Sequence, residues 1–115
     1  MAMMRMPVGA DVVGGGYVSD TPVTLNTSSF TEIDLGIKPS RIFMEGFMSG
    51  SYSGAFSIDF DVTNSKIYQS YGTNQNRNDA TSSYLNTSMY VSGTKLYLKA
   101  PNSSMAVPFY VMAVA

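Results

Sequence analysis

The 115 residues contain neither histidine nor cysteine. Ser-His-Asp and Cys-His nucleophilic sites are therefore excluded, together with disulfides and every thiolate or imidazole metal site. The groups left for acid–base or metal chemistry are six Asp and two Glu. Asp59 and Asp61 stand two apart in Ala55–Val62. In a strand such residues face the same way, with side chains roughly 6–7 Å apart. Two carboxylates so placed could serve a glycosidase or, with Asn64, hold Ca²⁺. They also suit the solvent face of an amphipathic strand, and this simplest reading is adopted. Glu32 and Asp34 repeat the spacing in a shorter run. No catalytic residue, metal site or cofactor is assigned, and the chain is expected not to be an enzyme.

One segment could bind without catalysis. Thr73–Asn78 is dense in amide side chains, whose paired donors and acceptors match sugar hydroxyls. Tyrosine adds a flat apolar face with a polar tip. Asn74, Asn76, Arg77 and Tyr84 are thus the candidates for a shallow glycan site on a loop spanning residues 73–83, with a host-surface glycan as its partner. The bland alternative is a solvated loop beside ordinary half-buried tyrosines.

Composition narrows the partners. Charged residues make up 13%, about half the ~25% usual for soluble domains. Polarity comes instead from 16 Ser, 9 Thr and 7 Asn. Formal net charge is -1, and the seven basic residues are scattered, so no field steers the chain onto nucleic acid. The longest apolar stretch, Ala106–Ala115, has about half the ~20 residues that a spanning helix needs. No membrane partner is expected, and Met1–Met6 has no signal-peptide character. Assembly in a cytoplasm is the expectation.

The elements that would carry these residues have period two. Residues 1–16 read as an extended arm: Met1, Met3, Met4 and Met6, then Val8, Val12 and Val13, then three glycines that disfavour any regular element. Methionine is an adaptable contact residue, so the arm is expected to dock on a neighbouring subunit. Residues 17–115 read as one domain. In Ala55–Val62, Phe56, Ile58, Phe60 and Val62 alternate with polar residues, the pattern of a strand with one face buried. Further strands are expected at Thr21–Leu25, Phe30–Leu35, Arg41–Met48, Lys66–Tyr71, Tyr84–Val91, Thr94–Ala100 and Ala106–Ala115. Gly72–Ser83 is expected to be a long loop, and Ser92-Gly93 a two-residue hairpin turn. Gly46, inside a strand, suggests a bulge or a close backbone approach. About eight short strands with regular turns predict an all-β fold, an antiparallel β-sandwich with a jelly-roll-like topology. The last run is apolar on both faces, so it should be central, or an edge covered by a partner.

The segment Ile33-Asp34-Leu35-Gly36-Ile37-Lys38-Pro39-Ser40-Arg41-Ile42-Phe43-Met44 resembles a recurring phrase of small bacteriophage structural proteins. Ile37 stands where that phrase carries an aromatic. The ending Pro108-Phe109-Tyr110-Val111-Met112-Ala113-Val114 is similar to the closing strand of the same modules. The resemblance implies a β-sandwich module of a tail, baseplate, fibre or capsid decoration. Its implied partners are other virion proteins and further copies of itself, with a trimer favoured. The function expected is that of a non-catalytic virion structural protein, assembled through its arm. The alternative is a carbohydrate-binding adhesin using the 73–83 loop.

Overall fold

The computed structural model describes residues 16–19, 21–48, 54–71 and 74–115. It is all-β, with ten strands among the described residues. These are β1 (Gly16–Val18), β2 (Val23–Thr24), β3 (Thr31–Asp34), β4 (Arg41–Met48), β5 (Gly54–Asp61), β6 (Lys66–Tyr71), β7 (Asn74–Asp79), β8 (Met89–Ser92), β9 (Lys95–Leu98) and β10 (Pro108–Val114). A single helical turn, α1 (Thr81–Tyr84), and a 3₁₀ turn at Ser103–Met105 complete the inventory.

Two antiparallel sheets enclose one core. The larger runs β1-β10-β4-β5-β6-β7, with β2 also paired to β10, and the smaller runs β3-β9-β8. Alternation decides what each strand buries. Phe56, Ile58 and Phe60 of β5 point inward, as do Phe109, Val111 and Ala113 of β10. Ile42 and Met44 of β4 and Ile67 of β6 join them from the large sheet. The small sheet contributes Ile33, Met89, Leu96 and Leu98 to the same cluster. Each buried Val, Leu, Ile, Phe or Met side chain among these stabilises by about 1.5–3 kcal/mol.

The last strand is central, between β4 on one side and β1 and β2 on the other. Ser19 bridges the interval between its two short partners. Its N–H donates to the Val111 carbonyl at 2.9 Å, and its Oγ accepts from the Val111 N–H at 3.0 Å. Gly46 is a close approach. A β-carbon there would stand 2.7 Å from Phe109 Cβ, so only glycine lets β4 lie this close to the β10 side chain.

Three expectations are corrected. Residues 72–83 are not one long loop, because Asn74–Asp79 pair with β6 as an edge strand and Thr81–Tyr84 form α1. The edge strand lacks apolar alternation, so its sequence carried no strand signal. What recruits it is the open hydrogen-bonding edge of β6. Tyr84–Val91 is likewise not continuous strand. Asp79 Oδ1 accepts from the Thr81 N–H at 2.9 Å and starts the helical turn, and β8 begins only at Met89. Finally, the β8–β9 hairpin closes on the Ser92–Lys95 pair, so its turn residues are Gly93 and Thr94, with Gly93 at φ 64°. The expected arm, with Met1, Met3, Met4, Met6, Val8, Val12 and Val13, lies outside the described residues apart from Gly16, the first residue of β1.

Candidate binding face

Strand register assembles the outward side of the large sheet. Val18, Met112, Phe43, Asp59 and Tyr68 form one row across β1, β10, β4, β5 and β6. Tyr110, Glu45, Ser57 and Ser70 form the next row. The face therefore divides in two. Toward β1 it is apolar: Val18, Phe43, Phe47, Tyr110, Met112 and Val114 are all exposed, Phe47 to 72% and Tyr110 to 53%. A contiguous exposed apolar surface on a small domain marks an interaction site more often than chance. Toward β7 the face is charged and concave.

The charged half centres on Asp59. Arg41 grips its carboxylate with two donors, Nε to Oδ1 at 3.3 Å and Nη2 to Oδ2 at 2.6 Å. Arg77 adds Nη2 to Oδ2 at 3.0 Å. The hydrogen bond from Arg41 to Asp59, reinforced by their opposite charges, raises the guanidinium pKa above its ordinary value. Each guanidinium also lies near a ring, Arg77 at 4.1 Å from the Tyr68 centroid and Arg41 at 5.5 Å from that of Phe43. Beside this cluster the surface sinks into an open depression of about 210 Å³. Its floor is shallow because the register partners Ser57 and Ser70 carry short side chains. Phe43 and Glu45 form one wall, and Asp59, Tyr68 and Arg77 form the other. The Glu45 carboxylate and the Ser57 and Ser70 hydroxyls have no partner among the described residues.

The residues singled out from the sequence are placed as follows. Asp59 and Asp61 share the outward face, as the spacing required, but they do not converge on an ion. Asp59 faces two arginines, which disfavour an added cation. Asp61 accepts from Asn64 N at 3.2 Å and Asn64 Nδ2 at 2.9 Å. That side-chain hydrogen bond holds the Asp61 carboxyl below its usual range. No group of metal-ligating side chains occurs among the described residues. Glu32 lies 3.2 Å from Lys95 Nζ and accepts from the Tyr97 hydroxyl at 3.1 Å. Asp34 Oδ1 accepts from the Gly36 N–H at 3.0 Å, closing the turn after β3.

Of the loop-based glycan set, the two described side chains, Arg77 and Tyr84, do not come together. Arg77 belongs to the Asp59 cluster. Asn74 and Asn76 lie on β7, and their side chains are outside the described residues. Tyr84 is corrected from loop contact to core residue. It is buried, and its hydroxyl hydrogen-bonds Gln69 Oε1 at 2.6 Å, because α1 turns its ring inward.

Phe43, Glu45, Ser57 and Ser70 acquire meaning only as cross-strand neighbours, although outward alternation in Arg41–Phe47 was a visible cue. On the small sheet, Tyr90 stacks on its register partner Tyr97 at 4.7 Å, and Phe30 meets Tyr90 edge-on at 5.1 Å, with Lys99 5.0 Å from the Phe30 centroid. These rings pack against one another. No helix of the described residues is long and apolar enough to cross a membrane. Comparison with protein-family models, with curated proteins and with solved structures finds no match for this chain.

Proposed function

We propose that this chain is a non-catalytic structural subunit of a bacteriophage particle, a capsid decoration, head fibre or tail component, that works as a homo-oligomer. The observation that carries the reading is the apolar half of the large sheet's outer face. Val18, Phe43, Phe47, Tyr110 and Met112 remain exposed even though β10 is flanked on both sides. A chain with 13% charged residues has little charge repulsion to keep such faces apart. The resemblance of Ile33–Met44 and Pro108–Val114 to phage modules supports the particle assignment. In this reading a second copy covers the apolar strip, in a closed ring with a trimer favoured, and the arm over residues 1–16 anchors the ring to another virion protein.

Light scattering after size exclusion tests the first part. The expected result is an oligomer that Phe47→Glu with Met112→Glu converts to a folded monomer. A wild-type monomer at micromolar concentration sinks it. Immunogold microscopy on particles from source-cell lysates tests the second part. Label on heads or tails supports the virion assignment, and absence from every particle rejects it. Deleting residues 1–16 is expected to abolish incorporation while leaving the sandwich folded.

A further inference from the structure

We propose that the depression floored by Ser57 and Ser70 binds a single neutral sugar ring. The position differs from the loop set drawn from the sequence, of which Arg77 alone among the described side chains lines it. Three observations carry it. First, its polar groups are uncommitted: the Glu45 carboxylate and both serine hydroxyls lack partners among the described residues. A carboxylate accepts up to four hydrogen bonds and a hydroxyl both donates and accepts, the set that adjacent sugar hydroxyls require. Second, Phe43 borders the same space and is 39% exposed. An apolar ring beside a few polar groups matches the amphiphilic faces of a pyranose. Third, charge and size select the ligand. Glu45 and Asp59 oppose Arg41 and Arg77, so the formal charge of the surroundings is zero, which favours neither an anion nor a cation. The volume of about 210 Å³ falls below the ~300–1,000 Å³ of sites for drug-sized ligands, so it suits one ring rather than a chain of them.

Each side chain has a distinct part. Glu45 accepts from vicinal hydroxyls. The Ser57 and Ser70 hydroxyls contact the ring oxygen or a hydroxymethyl group. Phe43 packs against the C–H face. Arg77, already held by Asp59 and Tyr68, is a rigid wall with spare N–H donors rather than a mobile clamp. A monomer carries the whole depression, and only Phe43 is shared with the apolar strip of the assembly reading.

Amide chemical-shift mapping on the full chain tests it, with glucose, galactose, mannose, N-acetylglucosamine and N-acetylgalactosamine titrated separately into the millimolar range. At least one sugar is expected to shift the amides of Glu45, Ser57 and Ser70 saturably. Glu45→Gln keeps the shape and is expected to weaken that binding roughly tenfold, the size of a lost charge-assisted hydrogen bond. Ser70→Phe fills the floor from the solvent side and is expected to abolish the shifts while spectral dispersion stays native. No saturable shifts from any of the five sugars overturns the proposal. So does binding that Ser70→Phe leaves intact in a folded protein, or tighter binding of glucuronate than of glucose.

Discussion

Ser19 and Val111 exchange two hydrogen bonds, one through the main chain and one through the serine hydroxyl. Val111 is buried, and its N–H has a side-chain acceptor because the strand beside it is interrupted between β1 and β2. Ser19→Ala therefore leaves a buried donor unpaired. It is expected to destabilise by about 1–3 kcal/mol, read from the urea midpoint at unchanged slope. Ser19→Thr retains the oxygen and should cost less than Ser19→Ala. An unchanged midpoint for the alanine variant would show that the hydroxyl is dispensable.

Gly46 gives a second test of backbone proximity. A methyl group there meets Phe109 Cβ at 2.7 Å and the Phe56 ring at 3.0 Å. Gly46→Ala is expected to destabilise by about 1–3 kcal/mol through overpacking. Phe109→Ala should not rescue it, because the closest clash is with the β-carbon that alanine keeps. Rescue by Phe109→Ala in a double-mutant cycle would move the clash to the ring.

The response to pH has two separate limbs. Hydrogen bonds from Asn64 to Asp61 and from Thr81 to Asp79 hold both carboxyls below their usual range. Their contribution is fully present above the unfolded-state value, about pH 4, and is lost as pH falls through the lower folded values. Glu32 raises the Lys95 pKa, and burial with the Glu32 hydrogen bond raises that of Tyr97. That contribution is present below about pH 10 and is lost as pH rises through the higher folded values. With no histidine in the sequence, no unperturbed side chain titrates between about pH 5 and 8. Thermal melts should show a flat Tm across that window, a shallower acid limb in Asp61→Asn and a shallower alkaline limb in Tyr97→Phe. A step in Tm near pH 6.5 would contradict the assignment.

Calcium is expected to leave the Tm where it is. The Asp59 carboxylate is held between Arg41 and Arg77, so a divalent ion would have to displace two cations. A ligand that binds only the folded state raises apparent stability. A Tm that rises with Ca²⁺ and falls with EDTA would reverse this reading. Asp59→Ala, by contrast, strips both guanidiniums of a shared partner and should redistribute the Tyr68 and Phe43 environments, seen in the near-ultraviolet dichroism.

How far the sequence alone reached follows from what is local in a strand. Alternation over Phe56–Val62 specified a β-strand and its buried face, because side-chain direction depends only on parity along the backbone. β-like runs bounded by turn signals located β3, β4, β6, β9 and β10, and Gly46 stood out as a bulge or a close approach. Sequence reasoning could not find β7. Asn74–Asp79 has no apolar parity, and it is a strand only because β6 presents a free edge. Nor could it tell that Tyr84 enters the core, since α1 breaks the parity that would have aimed the ring outward. Absence of histidine and cysteine, low charge and all-β architecture were properties of the sequence. The partners of Asp59, the apolar strip from Val18 to Phe47 and the depression over Ser57 and Ser70 were decided by the tertiary structure. They exist because β1, β10, β4, β5 and β6 lie side by side, and register across strands far apart in the chain is not written in any one of them.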